Sequence, residues 1–86
     1  MLSTYLNEPP PGVTPKYLVI DSEELMADLP TIILNVNGYP CVSAYDAAEA
    51  IAKARQFHPK FILVGAWFRD KNGVDAVIRM QQEQPE

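Results

Sequence analysis

An α/β fold built on a parallel sheet is predicted for this 86-residue chain by three observations. Short apolar runs rich in strand-forming residues recur along it. Each is followed by a segment whose apolar residues return at helical spacing. The strongest run, Phe61-Ile62-Leu63-Val64, shows no alternation at all. Strands that alternate with helices favour parallel pairing through right-handed crossovers. A parallel strand covered by helices on both faces is apolar throughout. The length allows one domain, near the lower limit for a core that stabilises itself.

Residues 1–15 hold Pro9, Pro10, Pro11 and Pro15. Proline disfavours helix interiors and central strands, so a flexible leader is expected before a domain spanning 16–86. Tyr17-Leu18-Val19-Ile20 predicts the first strand, ended by the polar Asp21-Ser22. Leu25, Met26, Leu29, Ile32, Ile33 and Val36 then place one apolar face on a helix. Ser22 is its expected N-cap and Gly38 its expected stop. Pro30 lacks the N–H that would bond the Met26 carbonyl, so a kink or break is expected there.

Cys41-Val42-Ser43-Ala44 is a weaker strand candidate. Asp46 is placed to cap a second helix, with Glu49 reaching back in the manner of a capping box. Ala47, Ala50, Ile51, Ala54 and Phe57 form its inward stripe, and Glu49 and Lys53 form an outward i,i+4 pair. Pro59 ends the helix, and the run Phe61-Ile62-Leu63-Val64 follows. Residues 65–72 read as a loop. Asn72 and Gly73 open a third helix, with Val74, Val77 and Ile78 turned inward.

Hydrophobic residues make up 48% of the chain, too many for a disordered one. The net charge of −4 argues against nucleic acid or an anionic membrane as partner. Charge is uneven, at −6 over residues 1–52 and +2 over 53–86. The bases Lys53, Arg55, Lys60, Arg69 and Lys71 read as a solvated face. With one cysteine, Cys41, no internal disulfide can form, and a cytoplasmic setting is expected. Cys41 itself reads as a small core residue. No run is long enough to span a bilayer, and the N-terminus lacks the pattern of a signal peptide. His58 has no Cys or His at ligand spacing, so no metal site is expected. There is no glycine-rich phosphate loop and no Ser-His-Asp arrangement.

Five short motifs carry a further reading. Leu18-Val19-Ile20-Asp21-Ser22-Glu23-Glu24 puts acidic residues just past an apolar strand. Asn37-Gly38-Tyr39 ends the first helix, and Ala44-Tyr45-Asp46-Ala47-Ala48-Glu49-Ala50 starts the second. Pro59-Lys60-Phe61-Ile62-Leu63-Val64 leads into the third strand, and Asn72-Gly73-Val74-Asp75 enters the third helix. In this order and spacing, from Tyr17 to about Pro85, they resemble bacterial two-component response-regulator receiver domains. The resemblance implies a partial flavodoxin-like fold, (βα)3, with a three-stranded parallel sheet in the order 2-1-3.

The departures bear on function. The aspartate that accepts a phosphoryl group in that family corresponds to Gly65 here. The second residue of the family's acidic pair is Ser22, and a family proline is Arg69. The chain ends where the family's fourth strand would begin, which implies a degenerate receiver truncated after its third helix. Asp21, Ser22 and Glu23 remain as a residual acidic pocket. Phosphotransfer needs a carboxylate nucleophile and octahedrally coordinated magnesium. The expectation is therefore a non-enzymatic pseudo-receiver without cofactor or metal, weak magnesium binding at Asp21 being the most the pocket allows. Asp70 reads as a loop carboxylate facing solvent. Trp67, Phe68 and Arg69 mark an interaction surface, unless Trp67 and Phe68 fill the space left by the absent carboxylate. The Phe61–Val64 strand would form an open edge, inviting self-association into a homo-oligomer or completion by a protein partner. A phosphoacceptor using a substitute carboxylate and an inactive remnant are the alternatives.

Overall fold

The computed structural model describes residues 7–65 together with Asp75 and Arg79. The elements run β1 (Tyr17–Ile20), α1 (Glu24–Val36), β2 (Cys41–Ala44), α2 (Ala47–Phe57) and β3 (Phe61–Val64). The three strands are parallel in the order β2-β1-β3, with the sequence-derived topology in place. They lie flush: Tyr17 pairs with both Cys41 and Phe61, and Ile20 with both Ala44 and Val64. The start of this register is fixed by Lys16. Its N–H donates to the Pro40 carbonyl, and its own carbonyl accepts from the N–H groups of Lys60 and Phe61. The third helix, with Val74, Val77 and Ile78, lies outside the described residues, although Asp75 and Arg79 are exposed helical positions.

Successive residues of β1 point to opposite faces, so the sheet carries two cores. On one face Leu18, Ile20, Val42 and Ala44 pack with Ala50 and Ala54 of α2, flanked by Ile51, Phe57 and Ile62. On the other, Val19 and Cys41 pack with Ala27 of α1, flanked by Tyr17, Leu34 and Tyr45. The stripe predicted for α2 is the buried one. Its cap is also as predicted: the Asp46 carboxylate accepts from Glu49 N at 2.7 Å, and Glu49 Oε1 accepts from Tyr45 N at 2.8 Å. Glu49 and Lys53 pair at 3.1 Å. Helix α2 closes on His58 in the left-handed conformation, with φ 49°, just before Pro59.

Helix α1 departs from expectation in two ways. Its N-cap position is Glu23, not Ser22, and Glu23 makes no side-chain cap bond. The capping work falls to Asp21, whose Oδ1 accepts from Glu23 N at 3.0 Å in an Asx turn. Pro30 does not break the helix, which runs unbroken from Glu24 to Val36. The large apolar face of the helix is turned outward. Ala27 and Thr31 are the buried residues, while Leu25, Met26, Leu29, Ile33 and Val36 are 45–62% exposed. Small residues let the helix approach the sheet closely, and the Thr31 hydroxyl is satisfied by the Ala27 carbonyl at 2.8 Å. Gly38, at φ 87°, ends the helix as expected.

Two side-chain arrangements fix the flank of α1 to β2. Asn35 takes up both backbone groups of Cys41, donating to its carbonyl at 2.9 Å and accepting from its N–H at 2.8 Å. A neighbouring strand would make the same pair of bonds, so this amide covers part of an open sheet edge. Two turns earlier, Asp28 Oδ1 accepts from Tyr45 OH at 2.7 Å and Ser43 Oγ at 3.2 Å. At the other edge, β3 has no such cover among the described residues. Phe61, Leu63 and Val64 are 54%, 43% and 40% exposed, although the run has the composition of a strand enclosed on both faces.

Candidate functional site

In an open parallel sheet, neighbouring crossovers that diverge to opposite faces leave a crevice beyond the carboxyl ends of the strands. Here α1 leaves β1 on one face and α2 joins β2 to β3 on the other, so that crevice lies between the ends of β1 and β3. The flush register brings the next residues, Asp21 and Gly65, side by side. Their backbones extend the ladder, with Asp21 N donating to Ala44 O at 3.1 Å and Gly65 N to Ile20 O at 2.8 Å.

Asp21 is 7% exposed. One carboxylate oxygen is held by Glu23 N, and the other leans over Gly65. A Cβ at position 65 would lie 2.6 Å from the Asp21 carboxyl carbon, far inside van der Waals contact. The two residues are therefore complementary: the carboxylate from β1 takes the space that a side chain at the end of β3 would need.

Of the residual acidic pocket, only Asp21 is buried at this crevice. Ser22 and Glu23 are exposed. Among the described residues, no three His, Cys, Asp or Glu come together as metal ligands. Trp67, Phe68, Arg69 and Asp70 lie outside the described residues. His58 is exposed at the opposite end of the sheet, before β3. Cys41 is buried, and burial pushes its thiol above the ordinary value, with the Thr31 hydroxyl 3.7 Å from the sulfur opposing in part.

The sequence reading missed the Asp28, Ser43 and Tyr45 cluster. Burial, and next the hydrogen bond to Asp28, raise the Tyr45 phenol above its usual range. The period-2 spacing of Ser43 and Tyr45 was the signal that they share a face. A cavity of about 510 Å³ also opens between residues 7–13 and the α2 flank at Glu49, Lys53 and Phe57. Neither Asp21 nor Gly65 lines it. Its ammonium is already engaged, Lys53 Nζ donating to Ser43 O at 2.7 Å and pairing with Glu49. Among the described residues, no helix is long and apolar enough to cross a membrane.

Comparison with known proteins finds similarity to a regulatory protein. Over 68 residues the chain is 29% identical to a Mycobacterium tuberculosis protein described as the probable transcriptional regulatory protein TcrX. The match takes in 79% of this chain but only 29% of the relative, so the chain spans less than a third of that protein's length. No family model matches the chain. No solved structure matches it either. These findings correct the identification drawn from the sequence. They support similarity to a regulatory protein and not membership of a degenerate receiver domain cut short after a third helix.

Proposed function

We propose that the chain is a signalling module of a two-component (phosphorelay) system, acting by protein–protein interaction and carrying no phosphoryl group at residue 65. The similarity to a transcriptional regulatory protein and the β2-β1-β3 sheet support the signalling part. The observation that carries the rest is the Asp21–Gly65 pair. A phosphoacceptor needs a carboxylate oxygen free to attack. Residue 65 supplies none, and the neighbouring carboxylate is buried, with one oxygen tied to the backbone. On this reading the module binds and does not catalyse, with neither metal nor cofactor. The apolar side chains standing free on α1 and β3 support binding to protein, since large exposed apolar patches mark association surfaces. A buried free thiol at Cys41 fits a cytoplasmic setting.

The test is incubation of the full chain with acetyl phosphate and magnesium, followed by intact-mass measurement. The expected mass is unchanged. A gain of one phosphoryl group overturns the reading and favours a substitute carboxylate, and its loss in Asp21→Asn would assign it. A parallel thermal melt is expected to be cooperative; a chain without one would be an inactive remnant.

A further inference from the structure

The outward face of α1 and the uncovered face of β3 lie on the same side of the sheet. Phe61 and Leu63 pair in register with Tyr17 and Val19, and Val19 belongs to the α1-side core. The Phe61 ring stacks on Tyr17 with centroids 5.1 Å apart, which fixes it to that face. Helix α1 packs over β1 and β2, and among the described residues no helix covers β3 beside it.

Helical geometry sets which residues border this strip. A helix turns about 100° per residue. Counting from the sheet-facing Ala27 and Thr31, Asp28 and Asn35 lie on the β2 flank, as their bonds to β2 require. Met26, Pro30 and Ile33 then lie on the β3 flank, and Leu25, Leu29 and Val36 on the outer ridge. Among the described residues, one surface thus carries an apolar ridge and, next to it, a helix-wide apolar strip without a helix.

We propose that this surface is an isologous interface with a second copy of the chain, in which α1 of each protomer lies over β3 of the other. The two helices then sit side by side between two sheets, related by a two-fold axis that runs between them. The outer ridge of one copy covers Phe61 and Leu63 of the other, and the Met26 and Ile33 flanks meet at the axis. A twofold contact requires a patch that complements itself, and a ridge beside a matching strip meets that requirement. The ridge and flank of α1 and the β3 strip, as placed here, hold no charged residue.

The area is sufficient. Leu25, Met26, Leu29, Ile33, Val36, Phe61 and Leu63 are each 43–62% exposed. At about 100 Å² apiece they present roughly 700 Å² per protomer. Stable specific interfaces bury about 600–1,000 Å² on each partner. The proposal deepens the association reading above by naming its partner and surface, and is independent of whether residue 65 can be phosphorylated.

The test is sedimentation equilibrium of the full chain from micromolar to sub-millimolar concentration, with Leu29→Glu and Leu63→Lys as variants. Both side chains are exposed, and a thermal melt verifies that each variant folds. The wild type is expected to dimerise and each variant alone to be monomeric. An equimolar mixture of the two is expected to regain a dimer, because the introduced carboxylate of one faces the introduced ammonium of the other. A monomeric wild type overturns the proposal. So does a dimer that both variants leave intact, which would point to pairing through the β3 edge. So does a mixture that stays monomeric. The mass experiment with acetyl phosphate reads the phosphorylation question separately, so failure of one leaves the other standing.

Discussion

The carboxylate of Asp21 stands over the α-carbon of Gly65, in the volume where a β-carbon at position 65 would be built. The contact joins the ends of two neighbouring strands and is backed by the Asp21 bond to Glu23 N, which starts helix α1. Position 65 is thus tied sterically to residue 21 and, through it, to the first turn of a helix.

Gly65→Ala is expected to lower stability by about 2 kcal/mol, a usual cost of overfilling a packed site. In an Asp21→Ala background the same change should cost much less, because the clash is removed. Denaturant melts of the four proteins give the coupling directly. Equal costs in both backgrounds would show that Asp21 swings aside freely. By the same argument, Gly65→Asp alone should not create a phosphoacceptor, as intact mass after acetyl phosphate would verify.

Asn35→Ala leaves the N–H and carbonyl of Cys41 without their side-chain partners. Abandoning a buried hydrogen-bonding group costs about 1–3 kcal/mol, so a loss of about 2 kcal/mol is expected. Hydrogen exchange should show faster exchange at the Cys41 amide beyond what the global loss explains.

Pro30→Ala restores an N–H toward the Met26 carbonyl inside α1. Proline in a helix interior costs about 3 kcal/mol relative to alanine. The substitution is expected to raise the melting temperature, and an unchanged or lower value would mean that the ring packs more usefully than its missing donor costs.

Alkaline pH should destabilise the fold. The Cys41 thiol is raised above its ordinary 9.0 by burial, and the Tyr45 phenol above 10.0 by burial and then by its bond to Asp28. In both cases the protonated form is the one the fold favours. Their stabilisation is complete below the unfolded-state values and is lost as pH rises through the folded-state ones. Melting temperature should therefore fall from about pH 9 upward. Cys41→Ala should remove the first part of that fall and Tyr45→Phe the later part. Cys41 should also resist thiol reagents until the protein unfolds.

Much of this architecture can be read from particular residues. The unalternating Phe61–Val64 run, the Asp46 cap and the Ala50–Ala54 stripe each announce their element, because local chemistry decides them. The orientation of α1 is different. Leu25, Leu29, Ile33 and Val36 mark an apolar face, but periodicity does not say which neighbour that face meets. The informative residues were the small Ala27 and Thr31 on one side and the polar Asp28 and Asn35 on the flank, whose partners in β2 are known only once the sheet is assembled. The same holds for Asp21 and Gly65. They are 44 residues apart in sequence and become neighbours only through the shared register of β1 and β3.

That register also bears on how the chain reaches its native state. The central strand is the first in sequence, and its pairings join residues 24 and 44 positions apart, Tyr17 with Cys41 and with Phe61. No hairpin exists among the described residues to start a sheet locally. Closing long loops before any contact rewards the closure slows folding. During synthesis β1 must therefore wait, one side unpaired, until residue 64 has emerged from the ribosome.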